Sequence, residues 1–195
     1  RRFTHNLRLA ALLCINAGFI NAAGFIAFKV LTTNITGHAA LLAVSIASSG
    51  FHSASTVVLW LVLFLAGAFA SAVMISKVGK EKAAAYTLPI VIISIIVLMV
   101  ALFGHYSTNS LAATEYFAGS LLFAMGMQNA LVSMVSGSVV RTTHLTGIFT
   151  DLGIELSTLL MMKKAASVSL KNRIVLRLTI ILCFLLGGIL GGYLF

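Results

Sequence analysis

Two of the four acidic residues in this chain, Asp151 and Glu155, lie four positions apart in one apolar segment. On a helix, this spacing puts both carboxylates on the same face. A carboxylate buried in a bilayer is costly, so such residues usually face a cavity or a charged partner. The pair therefore predicts a proton or cation site at Asp151, with Glu155 as a relay or gate. The alternative is a structural salt bridge to Arg141, Lys163 or Lys164, or a position among the lipid headgroups.

A Thr-Thr-x-x-Thr-Gly string occurs at 32–37 and again at 142–147. Glycine weakens a helix, and threonine hydroxyls can bond to backbone groups that a helix break sets free. A helix that starts at such a break points its free N–H groups and positive dipole end into the site, which suits an anion or carboxylate. Helix packing with threonine capping, and no ligand, is the alternative. The candidate binding residues here are Thr33, Asn34, Thr36, Gly37, His38, Thr143, His144, Thr146 and Gly147.

Amide side chains precede both strings. Each string follows a Gly-x-x-Asn-Ala motif, which contains Asn21 in the first copy and Asn129 in the second. Gln128 and Asn16 are further amides in the same apolar segments. Amides in lipid seek partners across helices. We expect them to brace the helix breaks, and a polar path lined by these residues is the alternative.

A third match lies between 64–71 and 185–192, so three motifs recur in the same order. The order predicts a duplicated unit, with repeat A at 7–76 and repeat B at 112–195. The apolar segment at 84–104 has no counterpart and is predicted to be a linker helix. A polar break at corresponding places in two halves is the usual sequence pointer to a transporter binding site.

The elements that must hold these residues are membrane helices. Hydrophobic residues form 60% of the 195 residues and charged residues 9%, whereas soluble domains carry about a quarter charged residues. The composition predicts an all-α, polytopic membrane protein with one membrane domain, 1–195. About seven apolar helices form an internally duplicated three-plus-one-plus-three arrangement. They are expected at about 7–30, 34–49, 55–76, 84–104, 112–136, 143–162 and 174–195.

Two topologies are open. If all seven segments cross, the repeats are parallel, and basic residues divide eight to five between the two sides. If the two Thr-Gly segments are re-entrant, the repeats are inverted and the division becomes twelve to one, leaving Lys29 alone on its side. The length of 142–162 suits a full crossing, and on that ground we expect seven spans. The charge rule favours the re-entrant alternative.

The net charge of +9 comes from Lys and Arg at the ends of apolar segments. This distribution is typical of cytoplasmic loops beside anionic lipids, so the expected partner is the bilayer and not nucleic acid. The last segment carries two interleaved small-residue faces, which allow close helix packing. Packing within the chain is expected, and a homodimer or complex contact is the alternative. These faces consist of Gly187, Gly188, Gly191 and Gly192.

Nothing in the chain indicates soluble enzyme chemistry, because it has no phosphate-binding glycine loop, paired-cysteine metal motif or nucleophile elbow. No cofactor or metal is expected, and haem ligation by two of the scattered histidines is the alternative. A membrane-embedded enzyme would have to use His144, Asp151 and Glu155.

The strings at 126–130, 140–147 and 150–153 resemble the YoaK-like family of bacterial multi-pass membrane proteins, a domain of unknown function. The similarity extends over nearly the whole chain. It implies a location in the bacterial inner membrane, and it implies no established substrate or reaction. The arrangement of the helices also looks like that of small sugar or vitamin carriers, which is an analogy of fold alone.

Two functions follow as hypotheses. The first is a small secondary transporter or carrier, with its site between the two repeats at the Thr-Gly breaks. The second is a non-transporting accessory subunit of a larger membrane complex, which the small size of the chain and its glycine-faced last segment favour.

Overall fold

The computed structural model describes residues 3–79, 82, 84–104, 110–136, 143–162 and 167–194. These residues form seven α-helices and no strand, which confirms the predicted all-α fold. The helices are α1 (Phe3–Phe28), α2 (Ile35–Ala47), α3 (Phe51–Val78), α4 (Ala84–Phe103), α5 (Leu111–Ser136), α6 (Leu145–Met162) and α7 (Val168–Leu194). Within this described part, five helices are long and apolar enough to cross a bilayer, namely α1, α3, α4, α5 and α7, and α2 is a shorter apolar helix of 13 residues.

Helices α1 and α7 pack backbone against backbone and run parallel. A Cβ added to Gly187 would lie 2.0 Å from the carbonyl oxygen of Ile15, and one added to Gly191 would lie 2.5 Å from that of Phe19. The contact therefore advances along both helices in the same direction. Glycine is required because any side chain at these positions would push the two backbones apart.

Helices α3 and α5 form a second parallel pair. A Cβ added to Gly67 would lie 2.0 Å from the carbonyl oxygen of Phe123. Nearer the start of both helices, the hydroxyl of Thr56 donates to Oε1 of Glu115 at 3.0 Å. The two contacts fix the direction of the pair.

Helices α1 and α5 run antiparallel. The ring of Phe28, at the end of α1, stacks on Phe117 near the start of α5, with centroids 6.2 Å apart. Farther back along α1, Nδ2 of Asn16 donates to Oε1 of Gln128 at 2.6 Å. Helix α3 is parallel to α5, and α7 is parallel to α1. Helices α1 and α7 therefore run in the opposite direction to α3 and α5.

These directions determine the paths of α2 and α6. Because α1 and α3 run in opposite directions, α1 ends and α3 begins on the same side, so α2 enters the protein and returns. The same holds for α6 between α5 and α7. The expectation of seven spans is therefore wrong for these two helices. The length of 142–162 was misleading because α6 starts in the interior, where the hydroxyl of Thr143 donates to Oδ1 of Asn129 at 2.8 Å.

Helix α4 closes the core on one side. Its residues Ile93 and Val100 are buried in a cluster with Trp60 and Leu122. Its opposite face carries large apolar side chains that the protein leaves about half exposed, among them Ile90, Val91, Ile95 and Leu98. A face of this kind suits contact with lipid chains.

Candidate functional site

The starts of the two re-entrant helices face one cavity of about 220 Å³. Its walls come from the chain before and within the first turns of α2 and α6, together with one residue each from α3 and α5. The lining residues are Thr33, Asn34, Ile35, Thr36, Phe64, Asn129, Thr143, His144, Leu145 and Thr146.

The first break is held by an asparagine of α1. Helix α1 stops where Lys29 takes a left-handed conformation, with φ of 58°. The chain then folds back, and the backbone N–H and the hydroxyl of Thr33 both donate to Oδ1 of Asn21, at 3.1 and 2.9 Å. Irregular backbone inside a membrane protein requires such partners for its polar groups.

The second break has a matching brace. The hydroxyl of Thr143 donates to Oδ1 of Asn129 at 2.8 Å. Asn129 lies the same distance after the Gly-x-x-Asn-Ala glycine as Asn21 does in the first copy. The two Thr-Gly strings therefore enter the interior against equivalent amides.

Each re-entrant helix has a polar residue at its cap. Oδ1 of Asn34 accepts from the backbone N–H of Gly37 at 2.9 Å, and this contact caps α2. A Cβ on Gly37 would lie 2.5 Å from the amide nitrogen of Asn34, so glycine leaves room for the cap. At α6 the Nδ1 atom of His144 lies 3.5 Å from the Cβ position of Gly147. The imidazole thus occupies the place that Asn34 takes in the first copy.

The electrostatic character of the cavity follows from these helix starts. Each helix N-terminus carries a partial positive charge of about half an elementary charge. Two such ends meet here, and no acidic residue is among the lining residues. Hydroxyl, amide and imidazole groups supply adjustable hydrogen bonds. The cavity suits a small ligand rich in hydrogen-bond acceptors or carrying negative charge.

Asp151 and Glu155 lie outside this lining, on the face of α6 that meets α7. Nε of Arg173 donates to Glu155 at 3.0 Å, and Arg177 donates to the same carboxylate through Nε at 2.8 Å. A second nitrogen of Arg177 lies 3.0 Å from Oδ2 of Asp151. The salt-bridge partners are therefore on α7. The partners named from the sequence, Arg141, Lys163 and Lys164, lie outside the described residues.

The predicted start of α7 at 174 leaves Arg173 outside the helix, whereas Arg177 lies inside the predicted segment and was not recognised as a partner. Helix α7 begins at Val168, so its basic first turns are helical and continue toward the membrane. Arg173 and Arg177 are four apart on α7, as Asp151 and Glu155 are on α6. The matched spacing was the signal that could have identified the pairing.

The other predicted site residues have varied positions. Gln128 is buried between α1 and α5, where its amide donates to the carbonyl oxygen of Leu13 at 2.9 Å. His38 is buried and meets the ring of Trp60 edge-on, with centroids 5.6 Å apart. The predicted residues that do not line the cavity are Asn21, Gly37, His38, Gln128, Gly147, Asp151 and Glu155.

Phe64 is a lining residue that the sequence did not single out. It belongs to the third repeated string, three residues before Gly67, and the sequence indicated this string only as part of the repeat. On a helix that packs through its glycines, the residue one turn earlier lies on a neighbouring strip of the same face. Phe64 therefore reaches the cavity beside the α5 contact.

The glycines of the last helix mainly allow it to pack against another helix of the same chain. Gly187 and Gly191 face the backbone of α1, and a Cβ on Gly188 would lie 3.7 Å from the carbonyl oxygen of Gly18. A Cβ on Gly192 would meet no atom within 4 Å. Of the four, Gly192 alone leaves open space for a partner.

Among the described residues, no group of three or more His, Cys, Asp or Glu side chains is placed to hold a metal ion. His144 lines the cavity, whereas Asp151 and Glu155 are engaged by arginines on α7. A membrane-embedded enzyme would need these three residues together, but His144 lies at the cavity and the two carboxylates lie at the contact with α7.

The helices and the polar cavity define a small multi-pass helical membrane protein with two re-entrant helices. The chain belongs to the family described as "Protein of unknown function (DUF1275)", which it matches over residues 9–195. It is 24% identical over 176 residues to the "UPF0700 transmembrane protein YoaK" of Bacillus subtilis (strain 168), a match that covers 89% of this chain and 77% of that protein. The resemblance seen in the sequence motifs is confirmed. No solved structure matches the chain.

Proposed function

We propose that this protein is a small secondary carrier whose substrate site is the cavity between the first turns of α2 and α6. The observation that carries the proposal is that two polar helix starts, about 110 positions apart in sequence (33 to 143), line one cavity. Carriers commonly bind their substrates at broken or re-entrant helices near the middle of the membrane.

The halves are proposed to be inverted repeats, 7–76 and 112–195, joined by the linker helix 84–104. Support comes from close glycine contacts that occur in matched pairs, each with the added Cβ 2.0–2.1 Å from a carbonyl oxygen. They are Gly18 with Phe184, Gly126 with Phe64, Gly187 with Ile15, and Gly67 with Phe123. These contacts exchange when Phe64 is matched with Phe184 and Gly67 with Gly187, one position earlier than the sequence match of 64–71 with 185–192.

This arrangement gives the carrier two halves that can move against each other. Each re-entrant helix belongs to one half, and the cavity takes residues from both halves. Rocking one half against the other would change access to the cavity without unfolding either. The substrate is then a small polar molecule with hydrogen-bond acceptors or a negative charge.

Asp151 is the candidate for coupling to a proton or cation. Its side chain is 51% exposed and has a single arginine partner, whereas that of Glu155 is 10% exposed and is held by two. A half-exposed carboxylate with one partner can exchange that partner for a proton or cation at modest cost. Glu155 is better suited to a fixed role that holds α6 on α7.

The proposed location is the bacterial inner membrane, with the start of α1 on the cytoplasmic side. Seven basic residues are described, and all but Lys29 lie toward the side where α1 begins. These six are Arg8, Lys77, Lys82, Lys171, Arg173 and Arg177. An excess of Lys and Arg marks the cytoplasmic side.

The test is transport by protein reconstituted in liposomes, recorded as current or tracer uptake over a panel of small anions and neutral polar solutes. Thr36→Val and Thr146→Val each remove a hydroxyl from the cavity lining. Each should lower transport about tenfold, since one lost hydrogen bond to a charged ligand is worth roughly 1.5 kcal/mol. Thr158→Val is the matched control, because its hydroxyl donates only to Ile154 of its own helix.

Asp151→Asn in the same liposomes should abolish uptake driven by a proton or sodium gradient while the protein stays folded. Wild-type transport by both threonine variants would overturn the cavity as the site. Full transport by Asp151→Asn would remove the coupling role and leave the site intact.

The accessory-subunit function is kept as a second candidate, because Gly192 faces open space and the adjacent Tyr193 is 87% exposed. A partner helix could pack closely at this glycine. Mild-detergent purification of the wild type and of Gly192→Leu decides the matter. Release of a co-purifying protein by the substitution would favour this function, and an unchanged monomer or homodimer would count against it.

A further inference from the structure

A second cavity, of about 450 Å³, lies on the other side of the first turn of α2. Its walls are largely apolar and include Phe25 and Phe28 of α1, Leu41 of α2 and Trp60 of α3. The volume falls within the range of small-molecule pockets, which combine apolar walls with a few polar groups. Nothing in the proposed carrier site accounts for an apolar cavity of this size.

Two polar side chains in the lining, those of Lys29 and His38, each have a side-chain nitrogen without a partner among the described residues. Lys29 forms no ion pair within the described chain, and it is the single described basic residue on its side. His38 is 5% exposed, and its Nδ1 lies 2.7 Å from the carbonyl oxygen of Asn34. A carbonyl oxygen only accepts, so Nδ1 holds the hydrogen of this bond, and Nε2 is left as an acceptor for a donor group of a ligand. Nε2 has no hydrogen-bond partner among the described residues.

The two cavities are neighbours. Asn34 lines both, so the first turn of α2 forms the wall between them. A ligand in the apolar cavity would lie one side chain away from the polar cavity. The apolar cavity therefore lies where a ligand that comes from the side of Lys29 would pass before it reaches the polar cavity.

We propose that the substrate is an organic anion with an apolar body, which enters through this second cavity. The acid group would contact Lys29, and the body would lie between Phe28, Leu41 and Trp60, where Nε2 of His38 would accept from a hydroxyl or amide donor of the substrate. The inference rests on the proposed carrier function and specifies its substrate class. The polar cavity of about 220 Å³ limits the body to about one aromatic ring or a short branched chain.

The same chemistry could come from a resident lipid with an anionic headgroup, so the experiment must separate the two sources. Trp60 is the only tryptophan in the chain, and it lines the cavity. Its fluorescence therefore reports occupancy directly. Bromine quenches tryptophan at short range, which makes 4-bromobenzoate a suitable soluble probe.

Protein in nanodiscs of neutral lipid is titrated with 4-bromobenzoate. Saturable quenching of Trp60 is expected, and Lys29→Asn should weaken the apparent affinity about tenfold, the effect of losing one charge-assisted contact. Asparagine tolerates the left-handed conformation of this position, so the change removes charge without new strain. Lys29→Arg should restore binding, and Lys82→Asn, at the opposite end of the helices, should leave it unchanged.

The lipid arm uses nanodiscs that contain phosphatidylglycerol with brominated chains, compared with brominated phosphatidylcholine, and no added acid. Quenching by the anionic lipid alone, with none by 4-bromobenzoate, would overturn the proposal and identify a resident lipid. The proposal is also overturned if neither probe quenches, or if Lys29→Asn binds 4-bromobenzoate as the wild type does.

Failure of the carrier function itself has a different signature. Uptake of small polar solutes that depends on Thr36 and Thr146, without quenching of Trp60, would overturn the substrate class alone. Quenching that depends on Lys29, without uptake of any solute including 4-bromobenzoate, would overturn the carrier function and leave an anion-binding site.

Discussion

Asp151 and Glu155 show how the same residue type, one helical turn apart, comes to have different surroundings. Their spacing was readable from the sequence, and it placed both on one face of α6. What the sequence could not show was that this face meets the basic first turns of α7 and not the cavity. Thr33, Asn34, Thr36, Thr143, His144 and Thr146, in contrast, do line the cavity. Their recurrence in two strings was a stronger signal than acidity alone.

The two acidic residues should differ in their effect on stability. Glu155→Gln removes a buried carboxylate from two arginines and should lower the free energy of unfolding by about 3 kcal/mol. Asp151→Asn removes a half-exposed ion pair and should cost less than about 1 kcal/mol. Thermal unfolding of both variants in the same detergent measures the difference. Equal losses would mean that the α6–α7 contact does not depend on Glu155.

At the scale of the elements, the fold is built from two parallel helix pairs, α1 with α7 and α3 with α5. The small-residue faces of α7 were visible in the sequence. Their partners were not, because every helix with such a face offers the same shallow surface to any other. The choice of partner depends on contacts between residues far apart in sequence, such as the Asn16–Gln128 hydrogen bond and the Phe28–Phe117 stack. These contacts form only in the assembled bundle.

Glycine-to-alanine changes should therefore have opposite signs along one helix. Gly187→Ala places a Cβ 2.0 Å from the carbonyl oxygen of Ile15, so α1 and α7 must separate, at a cost of about 1–3 kcal/mol. Gly192→Ala meets no atom within 4 Å and should gain up to about 1 kcal/mol from helix propensity. Unfolding of each variant, with Gly188→Ala as the intermediate case, checks the order. Destabilisation by Gly192→Ala would reveal a partner at that face.

For the whole molecule, the twelve-to-one division of charge was the better guide to topology, and segment length was misleading. Hydrophobic length records how much chain lies in the membrane interior. It does not distinguish a segment that crosses from one that enters and returns. Charge at the ends of helices records which side each end faces, because Lys and Arg are retained on the cytoplasmic side.

Labelling from one side of the membrane tests this topology. Single cysteines at Ser49, Lys82 and Ser167, in a chain with Cys14 and Cys183 changed to alanine, provide exposed sites between helices. An impermeant maleimide should reach positions 82 and 167 from the same side and position 49 from the other. Seven crossings would instead place position 49 with position 167, and that pattern would contradict the re-entrant paths of α2 and α6.

The pairing of α1 with α7 also bears on how the protein is made. Gly18 of α1 packs against the backbone of α7 at Phe184, and every other described helix is synthesised between them. During translation, α1 therefore enters the bilayer long before its principal neighbour exists. Until then its glycine face can be covered only by lipid, by the insertion machinery or by a chaperone. The bundle is thus complete only when α7, the last of the described helices, packs on α1, the first of them.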